Sequence, residues 1–364
     1  MRILYFYSWQ HFNTGSPKML ATMLEMVDRE RHFPLFLATG DGPLVGELEA
    51  RGVEILRGRV TELTVGRPFH GSRRTAAAAL WLRRNRIDLL HVNEFGWNLD
   101  LVVGAWLARI PVILHVHVPL RVHRKNLHRF AATRVLFVSE AHRAETAGLH
   151  YIADRSLVLP NAIDVQRFES GRDIRADLGL PADALVVSTV AQIASRKAID
   201  VLLDVAEALI PRWPSLHFLV AGPPGKGEEE YARWQIERAG RPPHAGRVHF
   251  LGSRSDIPDL LASSDIFFLP SRHETYGLVV AEAMAASVPI VASDVGGIPE
   301  VVPSAAVGTL VPVDDTAGFV RALQALLASP EQRDSVGRAG RASLDGRFDR
   351  ATFARNLEAI YSGI

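Results

Sequence analysis

The chain has 364 residues, 48% hydrophobic and 22% charged, a globular balance with material for two domains. A net charge of +1 argues against a whole-surface grip on nucleic acid, so no nucleic-acid partner is expected. Cysteine is absent, which excludes disulfides, thiolate nucleophiles and cysteine-ligated metal or iron–sulfur sites. No run of about 20 apolar residues reads as a membrane span. Met1 to Tyr7 passes directly into strand-like sequence without the order of a signal peptide, so the expected setting is cytoplasmic.

Short apolar runs alternate with helical stretches. Strands are predicted at Ile3–Tyr7, Phe33–Ala38, Val53–Leu56, Leu89–Val92, Val112–Val118 and Val135–Val138. Most are continuous Val, Ile, Leu and Phe runs, as parallel strands covered on both faces require. Helices are predicted between them at Lys18–Val27, Ser72–Arg84, Leu99–Ala108 and Ala141–Gly148. The pattern restarts with strands at Leu185–Val190, His217–Ala221, Val248–Leu251, Ile266–Leu269, Ile290–Ala292 and Thr309–Val311. Their helices fall near Val201–Ile210, Glu228–Arg238, Ile257–Ala262, Val279–Ala285 and Thr316–Leu327, and Asp349–Tyr361 is a last helix. The seam is Pro160-Asn161-Ala162-Ile163-Asp164. The expectation is α/β: two Rossmann-like, doubly wound parallel-sheet domains facing across a cleft. Residues 1–160 form the first, 161–346 the second, and 347–364 a helix returning to the first.

The segment Ser271 to Ala283 carries the strongest chemical signal. A strand ends at Pro270 and a helix starts near Gly277, so free amides and the positive end of a helix dipole are available to a phosphate. Glu274 and Glu282 flank this turn; a carboxylate at Glu282, inside an apolar helix, suits the vicinal hydroxyls of a ribose. Read blandly, both are exposed helix charges. Gln192 to Lys197 follows the first strand of the second half, where Arg196 and Lys197 can neutralise a diphosphate. Asn13-Thr14-Gly15-Ser16-Pro17 follows the first strand of the first half, with Ser16 as a candidate cap and Pro17 at a helix start. It lacks the G-x-G-x-x-G spacing of a dinucleotide site, and Gly222 to Gly227 lacks the spacing of a P-loop. His115 and His117 share a strand face; without a carboxylate at ligand spacing, substrate contact or packing is favoured over a metal pair. The basic segment Arg121–Arg129 reads as a helix face, either solvated or a candidate for contact with a phosphorylated acceptor or, peripherally, with an anionic membrane at its inner face.

In order along the second half stand His249-Phe250-Leu251-Gly252, Asp265 to Ser271, Glu274 and Glu282 separated by seven residues, Pro289 to Asp294 and Gly296-Gly297-Ile298-Pro299-Glu300. With Pro160-Asn161-Ala162-Ile163-Asp164 upstream, this series resembles retaining glycosyltransferases of the GT-B fold, in particular the fourth glycosyltransferase family. The resemblance implies a nucleotide-diphosphate sugar, UDP or GDP based, held by the second domain. In that reading Glu282 holds the ribose, Glu274 the donor sugar, and the backbone at Thr275, Tyr276, Gly277 and Leu278 the diphosphate. Lys197 neutralises the diphosphate, with Gln192 and Arg196 in the same turn, and the base lies near Gly252 and Ser253. From the first domain, Gly15 and Ser16 approach the donor and His117 sits beside the transferred sugar. His117, Glu274 and Lys197 are thus the implied catalytic set.

The resemblance further implies no metal and no cofactor. The implied mechanism is front-face transfer with retention, in which the leaving phosphate oxygen takes the acceptor's proton. A saccharide, lipid-linked or small-molecule hydroxyl is the acceptor. The chain departs from the family's frequent pattern at Gln192 for Arg, Ala198 for Gly, Thr14 for the first glycine of its loop and Ser287 for Gly. A sugar-nucleotide epimerase of the same architecture, a non-catalytic nucleotide-sugar binder and a dinucleotide oxidoreductase are the competing readings.

Overall fold

The computed structural model describes residues 1–8, 12, 15–59, 68–94, 99–118, 131–145 and 150–364, the side chains of 68–72, 99, 150 and 151 excepted. The chain divides into two compact units, Met1–Ala162 with Arg350–Ile364, and Ile163–Asp349.

The first unit runs β1 (Arg2–Phe6), α1 (Gly15–Met26), β2 (Phe33–Ala38), α2 (Pro43–Ala50), β3 (Glu54–Arg57), α3 (Pro68–Arg84) and β4 (Leu89–Val92). It continues with α4 (Leu99–Leu107), β5 (Val112–Val116), β6 (Arg134–Phe137), α5 (Glu140–Ala144), α6 (His150–Ala153) and β7 (Ser156–Val158). The strands form a sheet of order β3-β2-β1-β4-β5-β6-β7, parallel at every pairing. Its order reverses between β1 and β4, so the loops leaving these two strands part to opposite sides. That is where open α/β sheets bind ligands.

Each sheet face carries its own core. One holds Met19, Leu20 and Leu24 of α1 and Leu44 and Leu48 of α2 against Phe36 of β2. The other holds Leu82, Leu101 and Val102 against Phe6, Leu37 and Leu114. The last helix, α15 (Arg350–Ser362, numbered after the helices of the second unit), sends Phe353, Leu357 and Tyr361 into the first of these cores. Three such buried side chains are worth roughly 1.5–3 kcal/mol each. An Arg350–Glu25 ion pair and a hydrogen bond between His32 Nε2 and Glu358 at 2.6 Å add to the same seam.

The second unit runs α7 (Val165–Glu169), β8 (Leu185–Val190), α8 (Ile199–Leu209), β9 (Leu216–Ala221), α9 (Glu229–Ala239), β10 (Val248–Gly252) and α10 (Ile257–Ala262). Then follow β11 (Ile266–Leu269), α11 (Leu278–Ala285), β12 (Ile290–Ser293), α12 (Ile298–Val301), β13 (Thr309–Val311), α13 (Thr316–Ala328) and α14 (Pro330–Ala342). Its sheet, β10-β9-β8-β11-β12-β13, is again parallel and reverses between β8 and β11. Both units are therefore Rossmann-like, and in each the first strand and its neighbour across the reversal carry the candidate site.

The structure departs from the sequence expectation in three instructive places. The strand expected at Val112–Val118 ends at Val116, which leaves His117 just beyond the ladder. α1 begins at Gly15, so Ser16 lies in its first turn rather than at its cap. α14 was not expected: its sequence PEQRDSVGRAGRA has no apolar stripe and buries only Gly337 and Gly340. Glycine is what this helix needs, because a Cβ at Gly337 would lie 2.0 Å from the Ser287 carbonyl oxygen. No helix among the described residues is long and apolar enough to cross a membrane.

Candidate functional site

In the second unit the loop after β8 makes a one-turn 3-10 helix, Ser195–Lys197, closed by Ala198 in the left-handed region at φ 52°. This turn carries Lys197 inward. The loop after β11 meets it: the Arg272 and His273 N–H groups both donate to the Arg196 carbonyl, at 2.9 and 3.3 Å. Arg272 fixes the junction further, donating to the Ser195 carbonyl at 2.9 Å and to both Asp200 carboxylate oxygens at 3.0 and 2.7 Å. Its Nε reaches Asp314 at 2.8 Å. Arg272 itself is pushed up, chiefly by its hydrogen bonds to Asp200.

Behind this clamp lies a buried ion pair. Lys197 Nζ donates to Glu274 Oε1, with the two residues only 8% and 9% exposed. Ser271 Oγ donates to the same oxygen at 2.9 Å. Burial pulls the Lys197 ammonium below its usual range, and the Glu274 carboxylate opposes that pull. Glu274 is thus no exposed helix charge. Its main chain is threaded past Gly296, where a Cβ would come within 1.7 Å of the Glu274 carbonyl oxygen, and Gly297 N–H donates to that oxygen at 3.3 Å. The paired glycines keep that passage open.

Gly277 caps α11 at φ 85°, ψ 43°, a conformation that glycine adopts without strain, and no side chain caps the first-turn amides. Thr275, Tyr276, Gly277 and Leu278 therefore lead into a helix start that offers positive dipole to an anion. Tyr276 is buried and Glu282, in the middle of α11, is half-buried. Arg196 is exposed and donates to the Gln192 side-chain oxygen at 2.6 Å, so these two partner each other. The loop from Gly222, set aside in sequence as a P-loop, backs the turn: Gly225 N–H donates to the Ile193 carbonyl at 2.9 Å and Ser195 N–H to Glu228 at 2.6 Å. Gly252 and Ser253 stand exposed at the end of edge strand β10, where Gly252 accepts from Gly222 N–H at 2.8 Å. No hydrogen bond among the described residues ties them to Lys197 or Glu274.

The first unit presents a different chemistry at the same topological position. His117 Nε2 lies 2.9 Å from Asn93 Oδ1, and Asn93 Nδ2 donates to the Ser16 carbonyl at 3.4 Å. Because the Asn93 amide must present its NH₂ to a carbonyl, its oxygen faces His117. The network therefore assigns the imidazole proton to Nε2. Ser16 and His117 are in this way drawn together by Asn93, which the sequence reading did not single out, and Gly15 precedes Ser16 at the start of α1.

Beneath His117 the rings of His115 and His91 continue inward, with centroids 4.2 Å and then 5.5 Å apart. His91 Nδ1 is 2.8 Å from the Tyr361 hydroxyl, itself 2.7 Å from the Tyr5 hydroxyl. Burial holds His91 and His117 down to about 3 and His115 well below its ordinary value, so the array is neutral. Glu94, also unanticipated, accepts from the Ser8 hydroxyl at 2.7 and 2.6 Å. Both residues follow β4 at the sheet reversal, and a polar Asn-Glu pair closing an apolar strand was the available signal. No group of three or more His, Asp or Glu in metal-holding geometry occurs among the described residues. Thr14 and the basic segment Arg121–Arg129 lie outside them.

Comparison with known proteins follows the two units. The pattern described as Glycosyltransferase Family 4 matches residues 14–167, and that of Glycosyl transferases group 1 matches residues 171–343. A D-inositol 3-phosphate glycosyltransferase of Saccharomonospora viridis is 36% identical over 187 residues, 49% of this chain and 43% of that protein. A protein of the same name from Stackebrandtia nassauensis is 31% identical over 290 residues, 71% of this chain and 65% of its own length. The phosphatidyl-myo-inositol mannosyltransferase of Mycolicibacterium smegmatis is 26% identical across 78% of this chain and 73% of its own. The chain spans about half the length of the first of these curated relatives. Among solved structures, Anabaena HepE in complex with UDP and glucose superposes with a TM-score of 0.85 at 22% identity, covering 100% of this chain and 99% of that one. A glycosyltransferase of Rickettsia africae gives the same TM-score at 16% identity, covering 100% and 98%. At such identities the likeness is one of fold: GT-B.

Proposed function

The chain belongs to glycosyltransferase family 4, the glycosyl transferases group 1, and from that premise we propose that it moves a sugar from a nucleoside-diphosphate sugar to a hydroxyl acceptor. The observation that carries the reading is the Lys197–Glu274 pair, buried behind the α11 start. A buried cation beside an uncapped helix start is built to receive a diphosphate. Glu274, already tied to Lys197 and Ser271, keeps a second carboxylate oxygen to accept from a sugar hydroxyl. Glu282 is assigned to the ribose hydroxyls, Gly252 and Ser253 to the base, and the neutral His117, with Gly15 and Ser16, to the transferred sugar.

In the proposed step the bond from the anomeric carbon to the diphosphate oxygen breaks and a bond to the acceptor oxygen forms. The acceptor's proton passes to the departing phosphate oxygen, on the same face, so the anomeric configuration is kept. Lys197 and the α11 amides stabilise the charge that develops on the leaving group, the positive role that a metal ion would otherwise fill. No metal and no cofactor enter this account. A UDP sugar is favoured by the UDP-bound fold neighbours, with a GDP sugar as the other candidate. The acceptor is a saccharide, lipid-linked or small-molecule hydroxyl.

Thermal-shift measurement of the protein in chelator, against UDP, GDP, ADP, their sugar conjugates and NAD, tests the donor class. One nucleoside diphosphate and its sugar conjugates should raise the midpoint. Stabilisation by NAD alone would overturn the proposal. The anomeric proton coupling of the transfer product then tests retention, and an inverted product would refute the front-face step.

A further inference from the structure

The outer face of α3 and α4 carries residues that neither sheet core uses. Gly104 brings the two helices close: a Cβ there would lie 2.8 Å from the Ala78 Cβ and 3.0 Å from the Thr75 carbonyl oxygen. That contact buries their inner sides and leaves Leu80, Trp106 and Leu107 outside, 55%, 51% and 49% exposed. Around them Arg73, Arg74, Arg83, Arg84, Arg86 and Arg109 are all exposed. No Asp or Glu occurs in residues 63–87. The acid of α4, Asp100, is buried, and that of Asp88 accepts from the Arg2 N–H at 2.7 Å. The two helices therefore present three apolar side chains flanked by six exposed arginines, against one exposed acid, Asp88, just past α3.

Three large apolar side chains fall short of a stable protein interface, which buries about 800 Å² on each partner. They match shallow entry into a lipid headgroup layer, where tryptophan is at home, and arginines near an anionic surface each strengthen binding several-fold. We propose that the α3–α4 face docks on an anionic lipid bilayer, with Leu80, Trp106 and Leu107 entering the headgroup layer and the surrounding arginines facing the lipid charges. This stands independently of the sugar-transfer reading, because it uses no residue of either candidate site.

Vesicle flotation of the full chain tests it, comparing pure phosphatidylcholine with phosphatidylcholine containing phosphatidylglycerol. The protein should float only with the anionic vesicles, and added salt should release it. The exposed pair Arg73→Glu/Arg84→Glu should lower the bound fraction about tenfold or more, and Leu80→Asn/Leu107→Asn several-fold, each with an unchanged melting midpoint. Replacing Arg121, Arg124, Lys125 and Arg129 by Ser should leave flotation intact. Three results would overturn the proposal: no flotation with anionic vesicles at low salt, loss of flotation in the 121–129 variant alone, or a solution dimer that Leu80→Asn/Leu107→Asn dissociates.

Discussion

The two units build their candidate sites on one topology and fill them with opposite electrostatics. At the β8/β11 reversal the site is made of charges held in pairs: Lys197 with Glu274, and Arg272 with Asp200 and Asp314. At the β1/β4 reversal it is made of neutral rings and amides, His117 on Asn93 with the His115 and His91 rings tilted against one another below. The sheets set where side chains converge, and the loops set what converges there. Fixed charge suits a ligand that is itself a dianion. Neutral donors and acceptors suit hydroxyl groups, which a stray buried charge would disturb.

Breaking the charged half should have the largest effect. Lys197→Ala strands the Glu274 carboxylate in a buried site, so we expect a loss of about 3–5 kcal/mol in unfolding free energy and loss of nucleoside-diphosphate binding. Adding Glu274→Gln should restore much of the stability but none of the binding. Denaturant melts and calorimetry separate the two, and a fully stable single variant would show that the pair is not a buried unit.

The neutral half is broken by acid. His91 and His117 have folded values near 3 against about 6.5 unfolded, so the unfolded chain takes up more protons throughout the window between them. The stability they support is complete above about 6.5 and falls as the pH drops toward 3, by up to about 1.4 kcal/mol per pH unit for each histidine. Unfolding free energy measured across this range should decline steeply, and a flat profile between pH 4 and 6.5 would show the rings are not held neutral.

Asn93→Leu sharpens the comparison at lower cost to the fold. Without the Asn93 oxygen the His117 ring is no longer held in one tautomer or orientation, and we expect turnover to fall roughly 10- to 100-fold. Nucleotide affinity should stay the same, because Asn93 belongs to the neutral half; a parallel loss of affinity would blur the division. The smallest effect concerns backbone alone. Ser287 is exposed at φ 59°, a conformation costly for a residue with a Cβ. Ser287→Gly should therefore stabilise the protein by about 0.5–1 kcal/mol, visible as a rise in melting midpoint.

The fold was legible because most of its strands are continuous apolar runs alternating with helical stretches, the pattern of a doubly covered parallel sheet. α14 was not, since a helix that packs through glycines shows no stripe. Within the site, Glu274, Lys197 and His117 announced themselves as charged or titratable residues at strand ends. Asn93 left only the mark of a polar Asn-Glu pair closing an apolar strand; Arg272 and Glu228 act through other residues, and nothing local in an Arg or Glu records which loop it will tie down. Ala198 and Ser287 show the converse. Both positions departed from the family's glycine in sequence, and both prove to sit in the left-handed region, so the backbone kept the shape that glycine permits and the side chain was accommodated.

The division of labour between the halves is tested most directly by isothermal titration of UDP and GDP, in chelator, into the wild-type protein, Lys197→Ala and His117→Ala. The account predicts that one of the two nucleotides binds the wild type without metal, that His117→Ala binds it equally well, and that Lys197→Ala does not bind it. Loss of binding in His117→Ala with full binding in Lys197→Ala would contradict it.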